Sequence, residues 1–342
     1  MKKRVLVGLS GGVDSTFAAY QLIRDGYDVV GVYMKMFENN AFHEENIRKV
    51  KLLADYLGME YHIYDITETF YKEVYNPFIQ SYVHGETPNP CGRCNQTIKF
   101  GRFVEIADEL NCELISTGHY INTDGQYIYE ADDDSKDQTY FLFHVDPKVL
   151  GRLIFPLGNK VKEDIKEYIR SIEPLKDIAV QRESSEICFV ETDYRDVLRK
   201  YVEVDQPGEI LTSSGEVIGT HKGYMNYTIG QRRGFETRLK KRLFINRIIP
   251  ETNQIIVGEK RELRQEEVKI ADINLFFTPQ GERFRSTVKL RYRTKKIPCE
   301  VVLDGKGGAI IYLEEAAELG VAKGQAAVFY EDKKMLGGGW IV

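Results

Sequence analysis

The sequence predicts a doubly wound α/β domain at the N-terminus, followed by two small β-rich domains. Short apolar runs alternate with helical stretches in the first half. Strands are predicted at residues 5–9, 29–34, 61–65 and 114–117, and helices at residues 15–25, 44–57, 70–82 and 98–110. This strand–helix alternation is typical of a parallel sheet covered on both faces.

The pattern changes after about residue 194. Short strands bounded by glycine-containing turns are predicted at residues 209–211, 214–217, 255–257, 288–292 and 301–303. We therefore expect a catalytic domain at residues 1–200, a central β-rich domain at 201–265 and a C-terminal β-barrel at 266–342.

The composition is that of an ordinary globular protein. Of 342 residues, 42% are hydrophobic and 29% charged, and no apolar run is long enough to cross a membrane. We expect a cytoplasmic protein without a membrane partner. The formal net charge of −5 means that nucleic-acid binding would need a local basic surface.

A glycine-rich loop joins the first predicted strand to the first helix. It reads Gly8, Leu9, Ser10, Gly11, Gly12, Val13, Asp14 and Ser15. Adjacent glycines let backbone amides converge on an anion, and the helix that follows contributes the positive end of its dipole. The loop has neither the lysine-bearing phosphate-loop spacing nor the dinucleotide-binding spacing.

Five cysteines in a chain of this length favour metal or redox chemistry over a disulfide scaffold. Cys91 and Cys94 form a Cys-x-x-Cys pair between two predicted helices. If Asn95 caps the second helix, Cys94 lies at a helix N-terminus, where the pKa of a thiol is lowered. The pair could instead bind a metal or form a disulfide, and Cys188 could be an ordinary buried cysteine.

Two clusters of basic residues stand out from the acidic whole. Arginines and lysines occupy odd positions from Arg283 to Lys295, which predicts one strand with a basic face. The second cluster consists of Arg232, Arg233, Arg238, Lys240, Lys241 and Arg242. Either could be a solvated surface or could follow the phosphates of a nucleic acid.

The loop from Ser10 to Ser15 resembles the signature of the PP-loop ATP pyrophosphatases, which cleave ATP between the α and β phosphates and adenylate a substrate. Over its full length the chain is similar to the bacterial tRNA-specific 2-thiouridylases. The matching segments are 8–15, 34–35, 87–100, 117–120, 136–142, 155–158, 187–189, 227–232, 291–293 and 336–339.

This resemblance implies roles for particular residues. Residues 8–15, Met34 and Gly118 would contact ATP, which would be bound with magnesium. Cys94 would be the nucleophile and Cys188 the persulfide carrier, ending as a disulfide. The target base and the tRNA would be contacted by Asn89, Pro90, Cys91, Lys136, Asp137, Gln138, Arg291 and Tyr292. The implied partners are the tRNAs for Lys, Glu and Gln, and a cysteine desulfurase or sulfur-relay protein.

One position departs from the family pattern. Family members commonly have an aspartate where this chain has Cys91, and that aspartate is a proposed general base. Cys91 could serve only as a thiolate, or Cys91, Cys94 and Cys188 could hold an iron–sulfur cluster. An amidating PP-loop ligase and a tRNA-binding protein without activity are the rival functions.

Overall fold

The computed structural model describes residues 2–180, 187–239 and 241–342. The segment 183–186, which precedes Cys188, and Lys240 of the second basic cluster lie outside these residues. Within the described residues, no helix is both long and apolar enough to cross a membrane.

Strands and helices alternate first, as the sequence predicts. The later strand predicted at 214–217 is wrong, because residues 214–216 lie in the turn before the strand that begins at Val217. The strands are β1 Arg4–Gly8, β2 Asp28–Lys35, β3 Glu60–Asp65, β4 Leu114–Ser116, β5 Ile121–Thr123, β6 Ile128–Glu130, β7 Leu153–Ile154, β8 Gly208–Thr212, β9 Val217–His221, β10 Phe244–Ile249, β11 Gln254–Gly258, β12 Gln265–Leu275, β13 Arg283–Lys289, β14 Ile297–Leu303, β15 Ala309–Ala317, β16 Ala326–Glu331 and β17 Lys334–Ile341.

The α-helices are concentrated in the first 200 residues. They are α1 Val13–Arg24, α2 Asn40–Leu57, α3 Thr67–Phe70, α4 Asn76–Val83, α5 Pro90–Cys94, α6 Phe103–Glu109, α7 Lys162–Ser171, α8 Lys176–Ala179 and α9 Tyr194–Leu198. Two π-helical segments, Tyr71–Tyr75 and Asn95–Arg102, join α3 to α4 and α5 to α6.

The N-terminal sheet is parallel, which confirms the predicted doubly wound domain. Its strand order is β3-β2-β1-β4-β7, so the chain reverses direction across the sheet between β1 and β4. Successive residues of β1 point to opposite faces: Val5 and Val7 pack in one core, and Leu6 packs in the other. Both faces are therefore buried, as expected for a parallel sheet.

The second half is β-rich, also as predicted. A four-stranded sheet has the order β10-β11-β8-β9. In the C-terminal region, β12, β15, β14, β13, β16 and β17 pair in sequence, and β12 also pairs with β17. This last pairing closes an antiparallel barrel.

A hairpin from the first half joins the barrel sheet. Strand β6 pairs with β17, so the β5–β6 hairpin extends the barrel wall. The buried Glu130 at the end of β6 accepts hydrogen bonds from Lys289 and Lys296, each at 2.8 Å. The barrel is thereby attached to the α/β domain by backbone pairing and by a largely buried charge cluster.

The predicted basic strand from Arg283 to Lys295 is wrong in extent. Strand β13 ends at Lys289, and the later basic residues lie in the turn that follows. Two of the strand's own cations are paired within the protein, Lys289 with Glu130 and Arg283 with Glu300. Alternation in the sequence could not reveal these partners, which come from other strands.

Candidate active site

The glycine loop connects β1 to α1, as predicted, and its serines organise it. Ser15 Oγ accepts a hydrogen bond from Ser10 N at 3.1 Å and donates one to Gly12 O at 3.0 Å. Gly12 N donates to Ser10 Oγ at 3.3 Å. Gly12 is the N-cap of α1, so the free amides of the first helical turn face the loop. This geometry is suited to binding phosphate.

Two glycines in this region are required by close contacts. Gly11 has a φ of +77°, and a Cβ there would lie 2.8 Å from Asn46 Oδ1. A Cβ on Gly118 would lie 2.9 Å from Ser15 N and 3.1 Å from the Asp14 carbonyl carbon. The loop after β4 therefore lies directly against the start of α1, and a side chain at either position would push the loop out of place.

The predicted ATP-binding residues meet at one edge of the sheet. The glycine loop follows β1, Gly118 follows β4, and Met34 lies near the carboxyl end of β2. These strands are neighbours on both sides of the point where the strand order reverses. Ligands of open α/β sheets bind in the crevice at that point.

Lys162 is a residue of this site that the sequence reasoning did not single out. It is the first residue of α7, and its Nζ donates a hydrogen bond to Asp14 Oδ2 at 3.0 Å. Tyr120 Oη donates to the other carboxylate oxygen of Asp14 at 2.7 Å. An ammonium group therefore lies beside the phosphate-binding end of α1. A lysine starting a helix after the segment 155–158 was the available signal.

The helix that carries the Cys-x-x-Cys pair begins earlier than predicted. Asn89, not Asn95, is its N-cap, and the Asn89 side chain accepts a hydrogen bond from Gly92 N at 3.0 Å. Cys94 therefore lies a full turn inside a helix that continues through the π-helical segment into α6. We call this continuous helix, residues 90–109, the thiol helix. Asn95 instead donates from its side chain to Phe141 O at 3.0 Å.

The pKa of Cys94 is raised, so the predicted lowering is wrong. Burial raises the pKa of the Cys94 thiol to about 11, because the thiolate loses its solvation, while the Lys99 ammonium acts in the opposite direction. Burial likewise raises the pKa of Cys91, again opposed by Lys99. All five cysteines are free thiols.

Cys188 lies in the same part of the molecule as Cys94, because its neighbour Phe189 packs in the apolar cluster that contains Cys94. The protein around its thiol raises its pKa, and the negative charges that Cys94 and Cys91 would carry raise it further. The residue itself is exposed.

An aromatic anchor holds Cys188 in position. Its neighbour Phe189 is buried, with ring centroids 5.1 Å from Phe78, 5.1 Å from Tyr75 and 5.7 Å from Phe70. Cys94 belongs to the same apolar cluster. The exposed thiol of Cys188 and the buried thiol of Cys94 are therefore supported by one core.

The thiols do not form a recognisable metal site. Across residues 2–180, 187–239 and 241–342, no three His, Cys, Asp or Glu side chains are grouped so as to hold a metal ion. The arrangement of Cys91, Cys94 and Cys188 in this structure thus does not fit a cluster with three protein ligands.

Of the predicted tRNA-contacting residues, those in the segment 136–138 are buried or half-buried. Asp137 is 5% exposed, and it accepts hydrogen bonds from the Thr139 side chain and backbone. Gln138 Oε1 accepts a hydrogen bond from Tyr120 N at 2.9 Å. Lys136 is half-buried beside them. The buried Asp137 carboxylate therefore stabilises the conformation of this segment.

Arg291 and Tyr292 reach the same region from the barrel. Arg291 donates to Ile229 O at 2.8 Å, and burial lowers its pKa. The Tyr292 ring lies 4.6 Å from that of Phe141, the residue whose carbonyl holds Asn95. The barrel, the segment 136–141 and the thiol helix thus meet in one place.

The barrel also forms hydrogen bonds with the segment that precedes the thiol helix. Gln325 Nε2 donates hydrogen bonds to Thr87 O at 3.0 Å and to Pro88 O at 3.1 Å. Thr87 N donates in turn to Lys323 O at 2.9 Å. Asn89 and Pro90 are consequently positioned by both domains.

Comparison with known proteins covers the whole chain. Three family models match consecutive parts: "tRNA methyl transferase HUP domain" at residues 3–192, "tRNA methyl transferase PRC-barrel domain" at 195–259 and "Aminomethyltransferase beta-barrel domain" at 265–341. Among solved structures, a 4-thiouridine synthetase–RNA complex with bound ATP is 19% identical, with a TM-score of 0.38, over 55% of this chain and 45% of that chain.

Curated relatives are far more similar. The tRNA-specific 2-thiouridylase MnmA of Sulfurimonas denitrificans is 51% identical, covering 100% of this chain and 99% of its own. That of a Nitratiruptor species is 49% identical, covering 100% of both chains. That of Campylobacter jejuni is 48% identical, covering 99% of both chains. The chain belongs to the family of tRNA-specific 2-thiouridylases.

Proposed function

We infer that the protein is a tRNA 2-thiouridylase. It uses ATP to adenylate the C2 oxygen of the wobble uridine and replaces that oxygen with sulfur, releasing AMP and pyrophosphate. One observation carries this inference: the loop after β4 touches both halves of the site. Gly118 lies against the phosphate-binding loop, and the ring of the next residue, His119, lies 5.9 Å from Phe100 on the thiol helix.

The first step would take place at the glycine loop. The amides of α1 and the Lys162 ammonium would bind the phosphates, and the uridine O2 would attack the α-phosphorus as pyrophosphate leaves. The base must leave its stack to be reached. Asp14 has both carboxylate oxygens engaged by Tyr120 and Lys162. We therefore assign magnesium to the ATP phosphates, where it usually keeps several waters.

The second step would take place at the thiols. The terminal sulfur of a Cys188 persulfide attacks C2, and the C2–O bond breaks as AMP leaves. Cys94, as thiolate, then attacks the Cys188 sulfur of the resulting C2–S–S bond. That S–S bond breaks, 2-thiouridine is released, and Cys94 and Cys188 end as a disulfide, which an external dithiol must reduce. The exposure of Cys188 supports its loading by a sulfur donor, and the burial of Cys94 protects it from side reactions.

The alternative mechanism, in which Cys91, Cys94 and Cys188 hold an iron–sulfur cluster, is tested by measuring the iron and sulfide content of the protein. The protein is purified without oxygen, and its iron, acid-labile sulfide and visible absorption are measured together with its activity. We expect a colourless, iron-free and active enzyme, because the three thiols do not form a metal-binding group in the described residues. Activity that rises in proportion to bound iron would instead establish the cluster.

We propose that the tRNA lies along the junction of the barrel and the thiol helix. We include the second basic cluster in this surface, because its described members are all exposed: Arg232, Arg233, Arg238, Lys241 and Arg242. Arg238 also pairs with Glu216. Alanine at Arg232, Arg233 and Arg242 together should weaken tRNA binding and flatten its dependence on salt. An unchanged affinity would remove this surface from the proposal.

The remaining assignments follow from this function. We propose the tRNAs for Lys, Glu and Gln as substrates, a cysteine desulfurase or relay protein as the sulfur donor, and the cytoplasm as the location. The division into residues 1–200, 201–265 and 266–342 remains our proposal for the domains.

Mass spectrometry of tRNA nucleosides tests the function directly. Unmodified tRNA is incubated with the enzyme, ATP and a sulfur donor, and we expect 2-thiouridine to form. A methylated nucleoside would instead support the activity named in the family models, and an amidated product would support the ligase. Cys94→Ser and Cys188→Ser should each abolish 2-thiouridine. Cys299→Ser, which alters a buried thiol of the barrel, is the matched control.

A further inference from the structure

Lys99 lies in the π-helical segment that follows Cys94. In a π-helix the backbone hydrogen bonds run from residue i to residue i+5, so residues five apart come into line. The segment Asn95–Arg102 starts directly after Cys94, and Phe103 N donates to Ile98 O in this pattern. Lys99 is therefore one wide turn from Cys94 on the same face of the helix. In a regular α-helix, Ile98 would come closer to that position.

The side chain of Lys99 is half-buried and has no ion pair or hydrogen bond with any residue that the structure describes. Its positive charge acts on Cys91, Cys94, Cys188 and His119. His119 is buried, and both its burial and Lys99 lower its pKa, so the ring is neutral. Within the part of the chain that the structure describes, the Lys99 ammonium thus acts on three thiols and a neutral imidazole and pairs with no carboxylate.

The Lys99 ammonium lies within electrostatic reach of the thiols. A partly buried ammonium without a carboxylate partner loses solvation. Negative charge at the thiols would offset this loss of solvation, and such charge is present on the sulfur that attacks and develops on the sulfur that leaves.

We propose that Lys99 stabilises the negative charge on sulfur as it passes from Cys188 to the activated base. It acts as a positioning residue for the thiolate of Cys94 and the persulfide of Cys188, and it forms no bond to sulfur. The proposal deepens the sulfur-transfer function proposed above and rests on it. It predicts that Lys99 matters for the second step and not for adenylation.

The two steps are separated in a single turnover. The enzyme is loaded at Cys188 with a low-molecular-weight persulfide and mixed with ATP and tRNA, and pyrophosphate and 2-thiouridine are followed in parallel. For Lys99→Met we expect 2-thiouridine to form about ten- to a hundredfold more slowly, as when one charge-stabilising group is removed. Pyrophosphate release should stay within about twofold of wild type, because the phosphate loop is untouched.

Conservative and control variants complete the design. Lys99→Arg keeps the charge and should recover most of the sulfur-transfer rate, whereas Lys99→Gln should behave as Lys99→Met. Lys51→Met removes an exposed lysine of α2 and should match wild type in both steps.

Three outcomes would overturn the proposal. Wild-type sulfur transfer in Lys99→Met would show that the charge is not used. Equal losses in both steps, without recovery in Lys99→Arg, would show a structural role. A wild-type enzyme that releases pyrophosphate without forming 2-thiouridine would overturn the proposed function, and this proposal with it.

Discussion

Gly118→Ala tests whether the loop after β4 sets the position of the phosphate-binding loop. The new Cβ would lie 2.9 Å from Ser15 N and 3.1 Å from two atoms of Asp14, and one of these is backbone carbon. Backbone cannot turn away as a side-chain end can, so the first turn of α1 must shift. Overpacking of this kind costs about 1–3 kcal/mol. Applied to ATP binding, this corresponds to a loss of about five- to 150-fold in kcat/KM for ATP.

The assay measures tRNA-dependent pyrophosphate release as a function of ATP concentration, together with the Tm. Gly151→Ala is the matched control, because its Cβ would have its nearest neighbour at 3.8 Å and Gly151 has no positive φ. We expect Gly151→Ala to resemble wild type and Gly118→Ala to lose ATP affinity. The reasoning would be refuted if Gly118→Ala kept wild-type kinetics, or if it lowered the Tm while leaving kcat/KM for ATP unchanged.

Three further predictions concern the packing of Phe189, the buried ion pairs of Glu130 and the reactivity of Cys94. Phe189→Ala should lower the free energy of unfolding by about 3–5 kcal/mol, because it removes a buried ring. It should also slow formation of the Cys94–Cys188 disulfide, measured by non-reducing peptide mapping. An unchanged rate would show that Phe189 does not position Cys188. Glu130→Gln should destabilise the protein by about 3 kcal/mol in urea unfolding, because it leaves Lys289 and Lys296 without their main counter-charge. Glu300→Gln, at a pair that is 42% exposed on the glutamate side, should cost less than about 1 kcal/mol, and equal effects would argue against the buried cluster. The rate of alkylation of Cys94 by a small reagent should rise about tenfold per pH unit from pH 7 towards the raised pKa of about 11, since only the thiolate reacts. A rate that stops rising below pH 8 would contradict the raised pKa.

Local sequence was sufficient to predict those segments whose structure depends on residues close together in the chain. The loop from Ser10 to Ser15 forms its own hydrogen bonds between residues at most five apart. Its position between β1 and α1 follows from an apolar run before it and helix-forming residues after it. The same holds for the alternation that predicts a parallel sheet, since both faces of β1 are buried in separate cores.

The start of the thiol helix shows where local sequence misleads. Asn89 and Asn95 are both suitable N-caps. Asn89 takes this role because Gln325 and Lys323 of the barrel hold Thr87 and Pro88 in an extended approach, while Asn95 is bound to Phe141. The choice thus depends on residues more than two hundred positions away, and it places Cys94 inside the helix with a raised pKa.

The sequence by itself determined the parallel α/β domain, the β-rich second half, the phosphate-binding loop and, through resemblance, the identity of the thiols. Tertiary structure alone decided how these thiols behave. Burial opposes the ionisation of Cys94, Lys99 favours it, and Phe189 packs in the same core as Cys94. Solvation and Coulomb interactions depend on distance in space and not along the chain, so they become determined only when the domains are packed together.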